Sequence, residues 1–106
     1  MARALINVPK TAKRGEVIEI KTLISHAMET GFRPDRSGTL VPRDIIHKFV
    51  CSYNGTEVFR AELHPAIAAN PFLSFTTVAT ESGEIAFRWT DDAGKIYAEK
   101  ANIVVE

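Results

Sequence analysis

Cysteine is nearly absent from this chain. Cys51 is the single thiol among 106 residues, so no internal disulfide and no cysteine-based zinc site can form. Long apolar runs are missing too. No stretch approaches the roughly 20 residues that a membrane-crossing helix needs. The start, Met1 to Pro9, has neither the apolar run of a signal peptide nor a twin-arginine pair. On that ground alone the chain reads as cytoplasmic, unless it is exported while folded onto a partner that carries a signal. Nor is one charge in excess, because 13 basic side chains balance 13 acidic ones. That balance predicts neither a nucleic-acid footprint nor a patch for an anionic membrane, and it leaves little self-repulsion to oppose association. Glycine-rich phosphate loops, repeats and low-complexity tracts do not occur, and no segment repeats with a helical period.

What is present is alternation with period two. From Glu16 to Ser25, Ile18, Ile20, Thr22 and Ile24 share one face, while Glu19, Lys21 and Ser25 lie on the other beside Val17 and Leu23. From Ile45 to Tyr53, Ile45, His47, Phe49, Cys51 and Tyr53 share a face. Asn54-Gly55 then predicts a type I′ hairpin turn, which needs positive φ at both positions. The return strand is Glu57 to Leu63. Further strands are expected over Phe72 to Thr80, Glu84 to Thr90 and Lys95 to Val105, and Ala4 to Val8 makes a seventh. The turn spacing predicts one all-β domain over residues 1–106. Its expected form is an immunoglobulin-like β-sandwich of about seven antiparallel strands, with an up-and-down barrel as the rival.

Alternating strands send every second connection to the same end. Pro9–Gly15, Asn54-Gly55 and Glu81–Gly83 should meet at one end, and Ala27–Asp44, His64–Pro71 and Asp91–Gly94 at the other. The second set includes the one long connection, a length usually associated with function or mobility. It also gathers His26, His64, Asp91 and Asp92, whose imidazoles and carboxylates suit a divalent ion. The alternative is that these are strand-end and turn residues. Cys51 and His47 share a strand face but stand about 13 Å apart, beyond the reach of a nucleophile–base pair. Cys51 therefore reads as a small core residue. Lys10, Lys13 and Arg14 read as a solvated loop rather than an anion site. Met28, Phe32, Pro65, Pro71 and Phe72, with Arg33 nearby, have the composition of interface anchors, or else cap the open end of the sandwich.

Several segments carry a family resemblance. Ile24-Ser-His-Ala-Met-Glu-Thr-Gly-Phe-Arg33 resembles the SoxZ segment that closes the second strand, with Ala27 where that family commonly has proline. Tyr53-Asn-Gly55, Asn70-Pro-Phe-Leu-Ser-Phe75 and Trp89-Thr-Asp-Asp-Ala-Gly94 are similar to later SoxZ segments in the same order. The resemblance implies a sandwich subunit that is not an enzyme and holds no cofactor. Its partner would be SoxY, in a heterodimer that carries sulfur intermediates on a cysteine of SoxY's C-terminal arm during thiosulfate oxidation. Other Sox enzymes would dock on that complex. The resemblance also implies a periplasmic location, reached by travelling with signal-bearing SoxY. The residues then expected at the partner interface are His26, Met28, Glu29, Phe32, Arg33, His64, Pro65, Asn70 and Phe72. Without SoxY, an exposed edge strand offers a route to homodimers.

Overall fold

Alternation in the sequence becomes alternation in burial. In the computed structural model, which describes residues 3–67 and 69–106, Val17–Ile24 buries every second side chain and exposes the others. Eight strands form among the described residues. They are β1 (Ala4–Asn7), β2 (Thr11–Ala12), β3 (Val17–Ile24), β4 (Ile46–Tyr53), β5 (Thr56–Glu62), β6 (Phe72–Val78), β7 (Gly83–Asp91) and β8 (Ile96–Val105). β1-β3-β6 make one sheet and β2-β8-β7-β4-β5 the other. The two inner faces close on one core in which Trp89, Phe49, Phe87 and seven isoleucines are the largest fully buried side chains. Phe49 touches Phe59, Phe75, Phe87 and Trp89 and so links the sheets. Two separate sheets make the fold an immunoglobulin-like sandwich and exclude the barrel.

Two details depart from the expected pattern. Thr11–Ala12 lies in a stretch read as a plain turn, yet it pairs with Val104–Val105, and it pairs parallel. A two-residue strand has no alternation to read. Ile45 and Ile46 are both buried although they were expected on opposite faces. A register shift between Ile46 and Lys48 breaks the strict period at the start of β4.

The parity of the connections holds. At one end the Asn54-Gly55 turn has φ of 48° and 83°, as a type I′ hairpin requires. The Asn54 side chain accepts from the Glu84 N–H at 2.9 Å. The Tyr53 hydroxyl donates to the Glu81 carbonyl, which ties the β4–β5 turn to the β6–β7 connection. Gly83 permits that approach, since a Cβ there would lie 1.7 Å from the Asn54 side-chain oxygen. The long loop and its companions meet at the opposite end.

Candidate functional site

The Ala27–Asp44 connection is an ordered finger rather than a slack loop. Glu29 and Asp44 exchange both backbone hydrogen bonds at its root, at 2.9 and 2.8 Å. Further out, the Val41 N–H donates to the Arg33 carbonyl and the Asp35 N–H to the Thr39 carbonyl, each at 2.8 Å. One Asp35 carboxylate oxygen accepts from the Ser37 N–H, the Ser37 hydroxyl and the Thr39 N–H. These bonds, led by the Ser37 hydroxyl, hold the Asp35 carboxyl below its usual range. Gly31 sits at φ 87°, where its absent side chain leaves room for Arg43 to pass. Arg33 grips Glu29 through both carboxylate oxygens at 3.0 Å, and this hydrogen-bonded pairing lowers the Glu29 pKa.

His26, Asp44 and Asp91 converge, with one potential ligand atom from each lying within 4.8 Å of the others. His64 and Asp92, the other expected members of a metal set, belong elsewhere. His64 is exposed, and its carbonyl accepts from the Ile67 N–H. Asp92 is engaged by Arg43 through both oxygens at 2.7 and 2.8 Å and by the Ile45 N–H at 3.1 Å. The Arg43 guanidinium therefore holds the Asp92 carboxyl below its usual range. His47 lies 3.4 Å from Asp92 without hydrogen-bond geometry, so it adds a charge contact only when protonated.

The donor chemistry of the converging set fits a structural network. Asp91 is buried, and its carboxylate accepts from the Ala93 N–H, the Lys95 N–H and the Tyr97 hydroxyl. Burial first, and then the Asp91 carboxylate, raise the Tyr97 pKa. His26 Nδ1 accepts the Met28 N–H at 3.0 Å, which leaves the proton of a neutral imidazole on Nε2. Neither ring nitrogen then offers an unused lone pair, and an ion would have to break the Met28 bond to bind.

The expected interface residues fall into three groups. Met28 is only 4 % exposed, belongs to the core and accepts the Ile46 N–H on its sulfur at 3.3 Å. Asn70, at φ 54°, exchanges bonds with His26, accepting its N–H at 2.9 Å and donating to its carbonyl at 2.7 Å. Met28 therefore seals the end of the sandwich, and Asn70 clips the second loop to the first. Glu29 and His26, both half-buried, are likewise engaged within the chain, Glu29 through both carboxylate oxygens and His26 through Nδ1. Pro65 is half-buried, while His64, Arg33, Phe32 and Phe72 are exposed. Phe32 is 76 % exposed, and Leu40 on the same finger is also exposed. Sequence reasoning missed Asp44 and Leu40. Asp44 reaches the cluster only through the Glu29–Asp44 bridge, which no local spacing announces.

The family described as "Sulphur oxidation protein SoxZ" matches residues 6–102. The chain belongs to the SoxZ family. Its place is therefore in the Sox sulfur-oxidation system. No curated protein matches it. Among solved structures, a superoxide reductase (neelaredoxin) from Ignicoccus hospitalis is 16 % identical at a TM-score of 0.76, covering 97 % of this chain and 80 % of that one. The sulfur carrier protein SoxY from Chlorobium limicola f thiosulfatophilum is 12 % identical at a TM-score of 0.68, covering 97 % and 78 %. The CARDB domain of PF1109 from Pyrococcus furiosus, solved in complex with di-metal ions, is 16 % identical at a TM-score of 0.54, covering 100 % and 94 %. At these identities the likeness is one of fold.

Proposed function

We propose that this chain is the subunit of the SoxYZ carrier complex that is not an enzyme. It binds SoxY, whose C-terminal arm cysteine bears the sulfur intermediates, and the pair forms a platform for the other Sox enzymes. The family match over residues 6–102 carries this reading. The geometry supports it physically. A carrier needs a rigid body that holds the root of a mobile arm, and the sandwich ends in a hydrogen-bonded finger with an exposed phenylalanine. Cys51 is buried in the core and does not serve as the carrier thiol. Work in the periplasm, reached while bound to signal-bearing SoxY, belongs to the same reading.

The docking residues of this reading are Phe32, Arg33 and Leu40 on the finger, with Pro65 of the second loop at the same end. Size-exclusion chromatography with light scattering, on this chain mixed with SoxY from the same genome, tests the reading. A stable one-to-one complex is expected. Phe32→Ser should weaken that complex at least tenfold without altering the melting temperature. Two separate peaks for the unmodified proteins would overturn the carrier reading. An unchanged affinity in the Phe32→Ser variant would remove the finger from the interface.

A further inference from the structure

Four strands form the sheet edges, and they are protected unequally. β2 is two residues long and β1 four, and short edges offer little to pair with. β5 carries Glu57, Arg60 and Glu62, the first two in an ion pair at 2.8 Å, and charge on an edge discourages pairing. β6, Phe72–Val78, has seven residues and no charge, and proline precedes it only at Pro71. Among the described residues its strand pairing is with β3 alone. Its outer face continues an exposed apolar row, because Leu5 pairs with Leu23 and Leu23 with Phe72.

We propose that β6 is a homodimer edge on which a second copy of this chain adds its own β6, antiparallel across a twofold axis at Phe75. This inference does not depend on the SoxY reading. Side chains directly opposite each other in an antiparallel pair share a face. Full overlap of the two strands therefore sets Phe72 opposite Val78 of the second copy, Ser74 opposite Thr76 and Phe75 opposite Phe75. These are an aromatic–β-branched pair, a hydroxyl pair and an aromatic pair, all favourable across strands. No like charges meet.

The rows beyond β6 match as well. The apolar row Leu5–Leu23–Phe72 runs on into Val78 and Val17 of the second copy, which pair with each other and are both exposed. The next row runs Lys21–Ser74, then Thr76–Glu19 of the second copy. Lys21 thus faces the other copy's Glu19 across two small side chains, about 14 Å apart at the usual strand spacing. The same pairing brings together the two copies' Phe59–Phe75 stacks, whose ring centroids lie 4.2 Å apart in each chain. It also covers the groove of about 590 Å³ between β5 and β6, which Tyr53, Val58, Thr77 and Val78 help to line. A formal charge of zero leaves no net repulsion to overcome.

Light scattering on the chain alone, from about 1 μM to about 1 mM, tests this. The expected species has twice the 11.7 kDa chain mass. Phe72→Glu and Val78→Lys alter exposed positions, so each variant should remain folded by circular dichroism, and each should weaken the dimer at least tenfold. Mixed in equal amounts, the two variants should recover it, because position 72 of one copy meets position 78 of the other. Three results would overturn the proposal. They are a monomer at every concentration, a dimer indifferent to both variants, and a mixture no tighter than the better of the two alone.

Discussion

Thr22 sits in the middle of β3 with its side chain in the core, 1 % exposed, and its hydroxyl has no hydrogen-bond partner among the described residues. Its neighbours on that face are Ile20 and Ile24, and its register partners are Ile6 and Leu73. A buried hydroxyl without a partner costs about 1–3 kcal/mol in proteins. Valine has the same branched shape without the oxygen. Thr22→Val should therefore stabilise the chain by about 1 kcal/mol, which is roughly 4–8 °C in Tm for a domain of this size. Thr22→Ser keeps the orphan oxygen and removes a methyl, so it should lose about 1 kcal/mol or more through lost burial and a small void. Thr22→Ala removes both groups and should fall between them. Urea denaturation of the four proteins, with slopes compared to confirm an unchanged unfolded state, reads the order Val, then wild type and Ala together, then Ser. A valine variant below wild type would show that the hydroxyl is bonded and would refute the reasoning, and a serine variant equal to wild type would show that the methyl contributes nothing by its burial.

Met28→Ala should cost about 2–5 kcal/mol, the usual range for truncating a buried methionine, and a denaturant titration checks it. Cys51 has its pKa pushed up to about 12 by burial. An aromatic disulfide reagent at pH 8 should therefore label the thiol only as fast as the chain unfolds, and rapid labelling of the folded protein would contradict its placement. Asp92 has its pKa lowered below the ordinary 3.8, chiefly by the Arg43 hydrogen bonds. A depressed carboxylate pKa contributes stability that is complete above the unfolded value and is lost as pH falls through the folded value. Asp92→Asn should therefore lower the urea midpoint at pH 6, and the gap to wild type should close as pH falls below 3.8. SoxY binding should change little between low and high salt, since screening acts on exposed charges. A steep salt dependence would place the affinity in ion pairs rather than in Phe32 and its neighbours.

The strands were legible because period two survives in a chain whose sheets are half wet. Ile18, Ile20, Thr22 and Ile24 fall on the buried face as their spacing requires, and so do Ile85, Phe87 and Trp89. The grouping of loops at two ends followed from parity alone. What escaped notice lies where pairing is too short or too distant for a period to register. Thr11–Ala12 joins β8 across almost the whole sequence, and Asp44 reaches His26 and Asp91 only after the finger closes. Met28 shows a different limit. A loop methionine reads equally well as a docking anchor or as a plug, and its φ of 53° with a sulfur over the Ile46 N–H makes it the plug.

The polar groups at the long-loop end bear on the proposed docking role, because most of them are spent within the chain. His26 is spent on Met28, Asn70 on His26, Asp91 on its own turn and Tyr97, Asp92 on Arg43 and Ile45, and Glu29 on Arg33. A catalytic or ligating group must keep a proton or a lone pair available for the reacting partner. Most of those atoms here are used to fix the shape of two loops. The side chains left facing outward on the finger include Phe32 and Leu40, which lose water favourably when covered and ask of a partner only a complementary apolar surface. On the SoxY reading, the internal bonds that hold the finger in one conformation would let such a surface bind without a large ordering cost.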